Sequence, residues 1–220
     1  MKREIIQTKD SSTSILLPDW NETYHSKFGA IQEAKHVFIK NGLSLFQGES
    51  VSILEIGFGT GLNAFITYLE AKKSGQKINY TGVEAFPVSE EDALKMNYVS
   101  ELEADSEAAV FLKMHEAAWN ESVVLDAHFT LEKQSKKFQE IADREKHDLI
   151  YFDAFGFRVQ PELWSLEIFQ IMHQALKPQG ILVTYACRSS IKNAMKDAGF
   201  EVEKLAGPPG KREMLRARKL

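Results

Sequence analysis

The stretch Val51-Ser-Ile-Leu-Glu-Ile-Gly-Phe-Gly-Thr-Gly-Leu-Asn-Ala-Phe-Ile-Thr67 decides the fold. Val51 to Ile56 is an apolar run broken only by Ser52 and Glu55, the pattern of a buried parallel strand. Gly57, Gly59 and Gly61 follow at alternate positions, and Leu62, Ala64, Phe65, Tyr68 and Leu69 then recur at helical spacing. Strand, glycine turn and helix in this order open a doubly wound α/β fold. Glycines at such a turn let the backbone approach a ligand with no Cβ in the way.

The glycine spacing narrows the ligand. The dinucleotide fingerprint G-x-G-x-x-G suits a pyrophosphate at the helix start. Its third glycine would fall where this chain has Leu62. The pattern here is acid-x-G-x-G-x-G, with Glu55 as the acid. That form resembles motif I of the S-adenosylmethionine (SAM) methyltransferases. SAM has no phosphate, but it carries an ammonium that Glu55 can hold directly or through water. Without a ligand, the same residues would be a tight strand–helix turn and nothing more.

Composition bounds the rest. A chain of 220 residues fits one α/β domain with a full core. We expect residues 1–48 to be an N-terminal extension packed on a single methyltransferase unit, 49–220. No apolar run approaches the ~20 residues of a membrane span. Met1-Lys-Arg-Glu-Ile-Ile6 lacks a signal-peptide core. Both point to a cytoplasmic protein without membrane contact. The single cysteine, Cys187, excludes an intramolecular disulfide and a cysteine-rich metal site. The six histidines show no ligand spacing, so no metal is expected. A net charge of −4 confines nucleic-acid contact to a local patch.

Along the chain, Glu4–Thr8 and Thr13–Leu17 read as a β-hairpin, and Ala30 to Ile39 as a helix stopped at Asn41-Gly42. Ile78 to Glu84 is the second strand of the main sheet. Glu84 lies a little over 20 residues beyond the glycine turn, where a carboxylate can take two ribose hydroxyls. Residues 88–118 read as helical after the Ser89 cap, 123–131 as one strand, and 133–142 as a short helix. His147 to Phe152 is the fourth strand. It ends in Asp153, on the side where ligands of this fold sit. Pro161 opens a helix through Ala175. A turn at 177–180, a strand to Ala186, a helix to Ala198 and a β-pair, 200–204 with 213–217, complete the chain. Gly207-Pro-Pro-Gly-Lys-Arg212 is a stiff basic loop between the last two strands.

Several pieces coincide with one family. They are Tyr24-x-x-x-x-Gly29-x-x-x-Glu33-x-x-x-Val37-Phe38, Glu55-Ile-Gly-Phe-Gly-Thr-Gly-Leu-Asn63 and Phe152-Asp-Ala-Phe155. The others are Pro161-Glu-Leu-Trp164, Leu176-Lys-Pro-x-Gly180 and Gly210-Lys-Arg-Glu-Met214. The chain resembles the methyltransferase half of the bifunctional tRNA 5-methylaminomethyl-2-thiouridine biosynthesis protein, MnmC, and its stand-alone, MnmD-type relatives.

The resemblance implies a Rossmann-like SAM methyltransferase fold, a mostly parallel seven-stranded sheet with an antiparallel last strand. It implies methyl transfer to the aminomethyl nitrogen at C5 of the wobble uridine in a tRNA anticodon stem-loop. Asp153 corresponds to the acid/base position. Glu55, Gly57, Gly59, Gly61, Asn63, Glu84 and Asp153 would hold SAM, with Glu132 the acid nearest the adenine. Phe155, Phe157 and Trp164 could stack the uracil. Arg188, Lys211 and Arg212 could meet phosphates. The chain ends at Leu220, so the FAD-dependent oxidase half of MnmC is expected to be absent. A SAM enzyme acting on a small-molecule amine, or a non-catalytic module of the same fold, are the competing readings.

Overall fold

The structure, a computed structural model, describes residues 2–48 and 50–220. A small antiparallel sheet comes first, from β1 (Glu4–Gln7), β2 (Thr13–Leu17) and β3 (Glu22–Thr23). β1 and β2 form the expected hairpin, with Gln7 opposite Thr13. Asp10 closes its turn, accepting from Thr8 Oγ1 at 2.7 Å and from the Ser12 amide at 3.2 Å. α1 (Ala30–Ala34) follows and runs on as a π-helical segment to Lys40.

The main body then alternates. β4 (Ser50–Ile56), α2 (Leu62–Ser74) and β5 (Lys77–Glu84) lead to the short α3 (Glu90–Ala93) and α4 (Tyr98–Glu101), then to α5 (Ala108–Glu116). β6 (Ser122–Val124), β7 (Phe129–Ser135), β8 (His147–Phe152), α6 (Leu166–Ala175) and β9 (Leu176–Thr184) follow. α7 (Ser189–Asp197), β10 (Phe200–Ala206) and β11 (Glu213–Lys219) end the chain. The sheet order is β10-β11-β9-β8-β4-β5-β7-β6. Strands from β7 through β9 are parallel, and β11 inserts antiparallel between β9 and β10. This is the expected mostly parallel sheet with a reversed last strand. It has eight strands instead of seven because β6 pairs along the outer edge of β7.

The period of two along each strand divides the core. Ile53 and Tyr151 pack on one face with Phe65 and Tyr68 of α2, Phe111 of α5 and Phe38 of the first helix. Leu54, Ile56, Ile150 and Phe152 pack on the other with Phe169 of α6 and Met195 of α7. No helix among the described residues is long and apolar enough to cross a membrane.

Three local expectations are corrected. Residues 88–118 are not one helix. Asn97 breaks it, because its side chain takes the Thr13 amide at 2.7 Å and gives a hydrogen bond to the Ser11 carbonyl, and Glu103 sits at φ 52°. Residues 123–131 form the β6–β7 hairpin, turned where Asp126 Oδ1 accepts from the His128 amide at 2.7 Å. Residues 133–142 are not an α-helix. β7 continues to Ser135 because it pairs with β5 to that point, and only a 3₁₀ turn at Phe138–Glu140 follows. The segment from Pro161 also differs slightly: a 3₁₀ turn to Trp164 precedes α6, which Ser165 caps.

Candidate active site

Three strand ends meet at one point. Ile56 of β4 lies opposite Phe152 of β8 on one side and Val83 of β5 on the other. The residues that follow, Gly57, Asp153 and Glu84, are therefore neighbours at the carboxyl edge, where the strand order reverses. Gly57 has φ 91°, and a Cβ there would stand 2.7 Å from the Asp153 carbonyl oxygen. Glycine is what lets β4 end this close to β8. All three residues line a cavity of about 830 Å³, a size common for small-molecule sites.

One half of the cavity belongs to the glycine turn. Glu84 Oε2 accepts from the Gly59 amide at 3.1 Å and Oε1 from the Phe86 amide at 2.9 Å. These bonds fix the carboxylate on the wall, and each oxygen retains accepting capacity. α2 starts at Gly61 with no side chain capping its first turn. Phe138 and Gln139 also line the cavity.

Asn63 links the turn to the acids. Its Nδ2 donates to Glu55 Oε1 and to Asp153 Oδ2, each at 2.9 Å. Glu55 is fully buried, and burial holds its carboxyl far above the usual range, which favours the protonated form. Asp153 keeps one edge on the cavity. Burial first, and the Glu33 carboxylate second, push its pKa up to about 7, against the Asn63 hydrogen bond and the Lys211 ammonium.

The N-terminal segments wall the other half. Trp20 and Tyr24 meet Phe155 edge-on, with ring centres 5.8 and 5.0 Å apart. Glu33 is buried; its Oε2 accepts from the Ser26 amide at 2.9 Å and its Oε1 from Lys211 Nζ. The Lys211 ammonium also lies 3.7 Å above the centre of the Tyr185 ring. This half is aromatic, and its carboxyl groups, Glu22, Glu33 and Asp153 among them, outnumber the Lys211 ammonium.

A family model of the S-adenosyl-L-methionine-dependent methyltransferases matches residues 94–220. The chain belongs to this family. The methyltransferase is 28% identical, over 224 residues, to the tRNA 5-methylaminomethyl-2-thiouridine biosynthesis bifunctional protein MnmC of Burkholderia multivorans. That match covers 94% of this chain and 33% of the relative. MnmC of Delftia acidovorans is 30% identical over 216 residues, covering 91% of this chain and 33% of that protein. The chain thus spans about a third of the length of the curated relatives it matches. Among solved structures, MnmC2 from Aquifex aeolicus shares the fold with a TM-score of 0.76 at 22% identity, over 98% of this chain and 70% of that one. The methyltransferase is therefore related to the methyltransferase part of MnmC, and its cofactor is SAM.

The residues present fit that cofactor. Asn63 Oδ1 is buried with no donor among the described residues, an acceptor that suits an ammonium. Glu84 offers acceptors for hydroxyl groups. Gly57 and Gly59 keep the turn tight on the cavity wall, where a Cβ would press on the Asp153 carbonyl at 2.7 Å and on the Tyr24 ring at 3.2 Å.

The cavity gathers Gly57, Gly59, Asn63, Glu84, Asp153, Phe155 and Lys211 from among the residues singled out in the sequence. Glu55 and Gly61 lie behind its wall, Glu55 acting through Asn63 and Gly61 turning against His115. The remaining residues stand elsewhere. Glu132 faces along β7 and accepts from Gln134. Trp164 is a core residue, 2% exposed, with its ring centre 5.1 Å from that of Phe152 and its Nε1 donating to the Phe155 carbonyl at 2.8 Å. Phe157 and Arg188 stack on each other, 4.4 Å from guanidinium to ring centre. Arg212 is exposed on the loop, while the adjacent Lys211 turns inward to Glu33, so the two do not form one basic contact. Glu33, Trp20, Tyr24 and Tyr185 line the cavity without having been assigned a role from sequence. Tyr24 and Glu33 belong to one quoted motif, the only signal that could have found them.

Proposed function

We infer that this methyltransferase moves a methyl group from SAM to the aminomethyl nitrogen at C5 of the wobble uridine of tRNA, with or without 2-thiolation. The observation that carries the reading is Asp153. A carboxyl with a pKa near 7 stands where the glycine turn meets an aromatic, acid-lined chamber. The similarity to MnmC supports an aminomethyl uridine as the group that enters the chamber. Residues 49–220 are read as the catalytic unit, and 1–48 as an extension that builds the substrate wall.

SAM, when bound, supplies an electrophilic methyl on a sulfonium. Gly57, Gly59, Asn63 and Glu84 form the cofactor half, with Glu55 and Gly61 supporting them. An aminomethyl group is mostly protonated at neutral pH and has no free electron pair. Asp153, as carboxylate, accepts hydrogen bonds from that ammonium and takes one proton, which leaves a neutral amine with its lone pair available. Asn63 holds Asp153 in place for this. Phe155, fixed by Trp20 and Tyr24, offers a ring against which the uracil can pack.

The test is transfer of labelled methyl to tRNA bearing 5-aminomethyluridine or its 2-thio form, with mass analysis of the wobble nucleoside. Formation of the methylaminomethyl nucleoside is expected. Methylation of a free polyamine or amino acid, with none of the tRNA, would replace this reading by a small-molecule one.

A further inference from the structure

Beside the cavity lies a second, shallower depression of about 400 Å³. Glu22, Thr23, Ser26 and Lys211 line both, so the two are continuous. The depression adds Lys27, Phe28, Arg158 and Gly210.

Phe28 is unusual in being both fixed and open. It is 46% exposed. Gly210, at φ 83°, lies so close beneath it that a Cβ there would clash with the ring at 2.2 Å. Lys9 Nζ stands 4.5 Å from the ring centre. The ring thus packs against the Gly210 backbone with an ammonium over it, and, nearly half exposed, it lines the depression. Leaving that surface wet forgoes hydrophobic stabilisation that burial would give.

Arg158 is also fixed. Its Nη2 donates to the carbonyls of Trp20 at 3.0 Å and Asn21 at 3.1 Å, and to Glu22 Oε2 at 3.2 Å. The last of these is an ion pair at the surface. These bonds leave Nη1 and Nε without protein partners among the described residues. Lys27, on the same depression, makes no ion pair among the described residues.

A preset aromatic face with two cations beside it matches what single-stranded RNA presents: a base to stack and a phosphate to neutralise. When one base enters a cavity, its neighbour in the strand is left at the mouth. We propose that this depression is a nucleotide subsite, in which Phe28 stacks the base adjacent to the wobble uridine while Arg158 and Lys27 hold the intervening phosphate. The proposal rests on the tRNA reading above.

The probes are an anticodon stem-loop RNA carrying 5-aminomethyl-2-thiouridine and the corresponding free nucleoside. Phe28→Ala should raise the Kd for the stem-loop about tenfold, the scale of losing one base stack, and Phe28→Trp should restore it. Lys27→Ala should flatten the salt dependence of stem-loop binding by about one unit of slope. SAM affinity and methylation of the nucleoside should stay as in the parent. If the parent binds the stem-loop and Phe28→Ala binds it equally well, the subsite is wrong and the tRNA reading stands. If nucleoside methylation falls in step with stem-loop binding, Phe28 shapes the cavity and the subsite is wrong. If the parent binds and methylates no stem-loop, the tRNA reading itself fails and the subsite with it.

Discussion

Asn63 Nδ2 lies 2.9 Å from Asp153 Oδ2, a hydrogen bond from the first turn of α2 to the end of β8. The same nitrogen reaches Glu55. One amide thus donates to both acids, and its hydrogen bond stabilises the ionised form of Asp153. Asn63→Ala removes a hydrogen bond to a charged group, worth about 1.5–3 kcal/mol. Asp153 should then hold its proton more tightly, by about one to two pH units. If the carboxylate is the working form, as proposed, the acid limb of the pH–rate profile should move to higher pH. Methyl-transfer rates measured from pH 5 to 9 check this. An unmoved limb with a lower plateau would make Asn63 a residue that holds only the cofactor.

Glu84 is anchored by two backbone amides, those of Gly59 and Phe86. The anchoring fixes its carboxylate before any ligand arrives, so hydroxyl groups meet a preset acceptor. Glu84→Ala should weaken SAM by about 1.5–3 kcal/mol, the scale of hydrogen bonds to a charged group. Calorimetry with SAM, and with NADH as the contrasting ligand, reads this. A parent protein that bound NADH more tightly than SAM would overturn the assignment of Glu84 and the glycines to this cofactor.

The Glu33–Lys211 pair joins the first helix to the terminal loop across the cavity. Its two members differ in exposure, with 31% of the Lys211 side chain and 10% of that of Glu33 accessible. Lys211→Met strands a buried carboxylate. It should cost up to about 3 kcal/mol, the low end for breaking a buried pair, since the lysine is partly solvated. Glu33→Gln combined with Lys211→Met should recover much of that loss. Urea unfolding of the three variants measures it. A Lys211→Met variant as stable as the parent would show that the pair contributes nothing to the fold.

These residues mark what the sequence could and could not disclose. Gly57, Glu84 and Asp153 were legible because each ends an apolar run, and parallel strands in register bring such ends together. Local pattern sufficed there. Glu33 and Lys211 are 178 positions apart, and no spacing rule relates them. The aromatics after Asp153 were ambiguous for another reason. Phe155 lines the cavity, Phe157 turns to Arg188 and Trp164 enters the core. An irregular loop has no period from which to read these directions. The β6–β7 hairpin was missed because Leu125 and Ala127 keep the alternation going through a turn that Asp126 makes.

Trp164 tests that distinction. It is 2% exposed, packed on Phe152, and hydrogen-bonded through Nε1. Trp164→Ala should cost about 3–5 kcal/mol, the usual range for removing a large buried aromatic. The measurement is the urea midpoint, with SAM affinity of the folded fraction as control. A stable variant with weakened RNA binding would return Trp164 to the base-stacking role that its burial argues against.

Asp153 follows β8 and lines the cavity. Its pKa of about 7 lies well above the ordinary carboxyl value of 3.8, with burial the first cause and the Glu33 carboxylate the second. Below pH 7 the group is mostly protonated and cannot accept a proton; above it the carboxylate prevails. The parent rate should therefore rise through a limb near pH 7 and level off above it. Asp153→Asn keeps the size and can still accept from Asn63, but an amide does not take up the substrate proton. SAM binding should persist, while methyl transfer at neutral pH should fall about 10²–10⁴-fold, the scale of acid–base assistance. The limb near pH 7 should vanish from the variant. Its rate should instead climb at higher pH, as the amine arrives already deprotonated. Labelled-methyl transfer to aminomethyl tRNA across pH 5.5 to 10 distinguishes the cases. A near-parental rate at pH 7 would remove Asp153 from catalysis. A uniform loss with no recovery at high pH would make it a positioning residue and leave the proton acceptor to be sought elsewhere in the cavity.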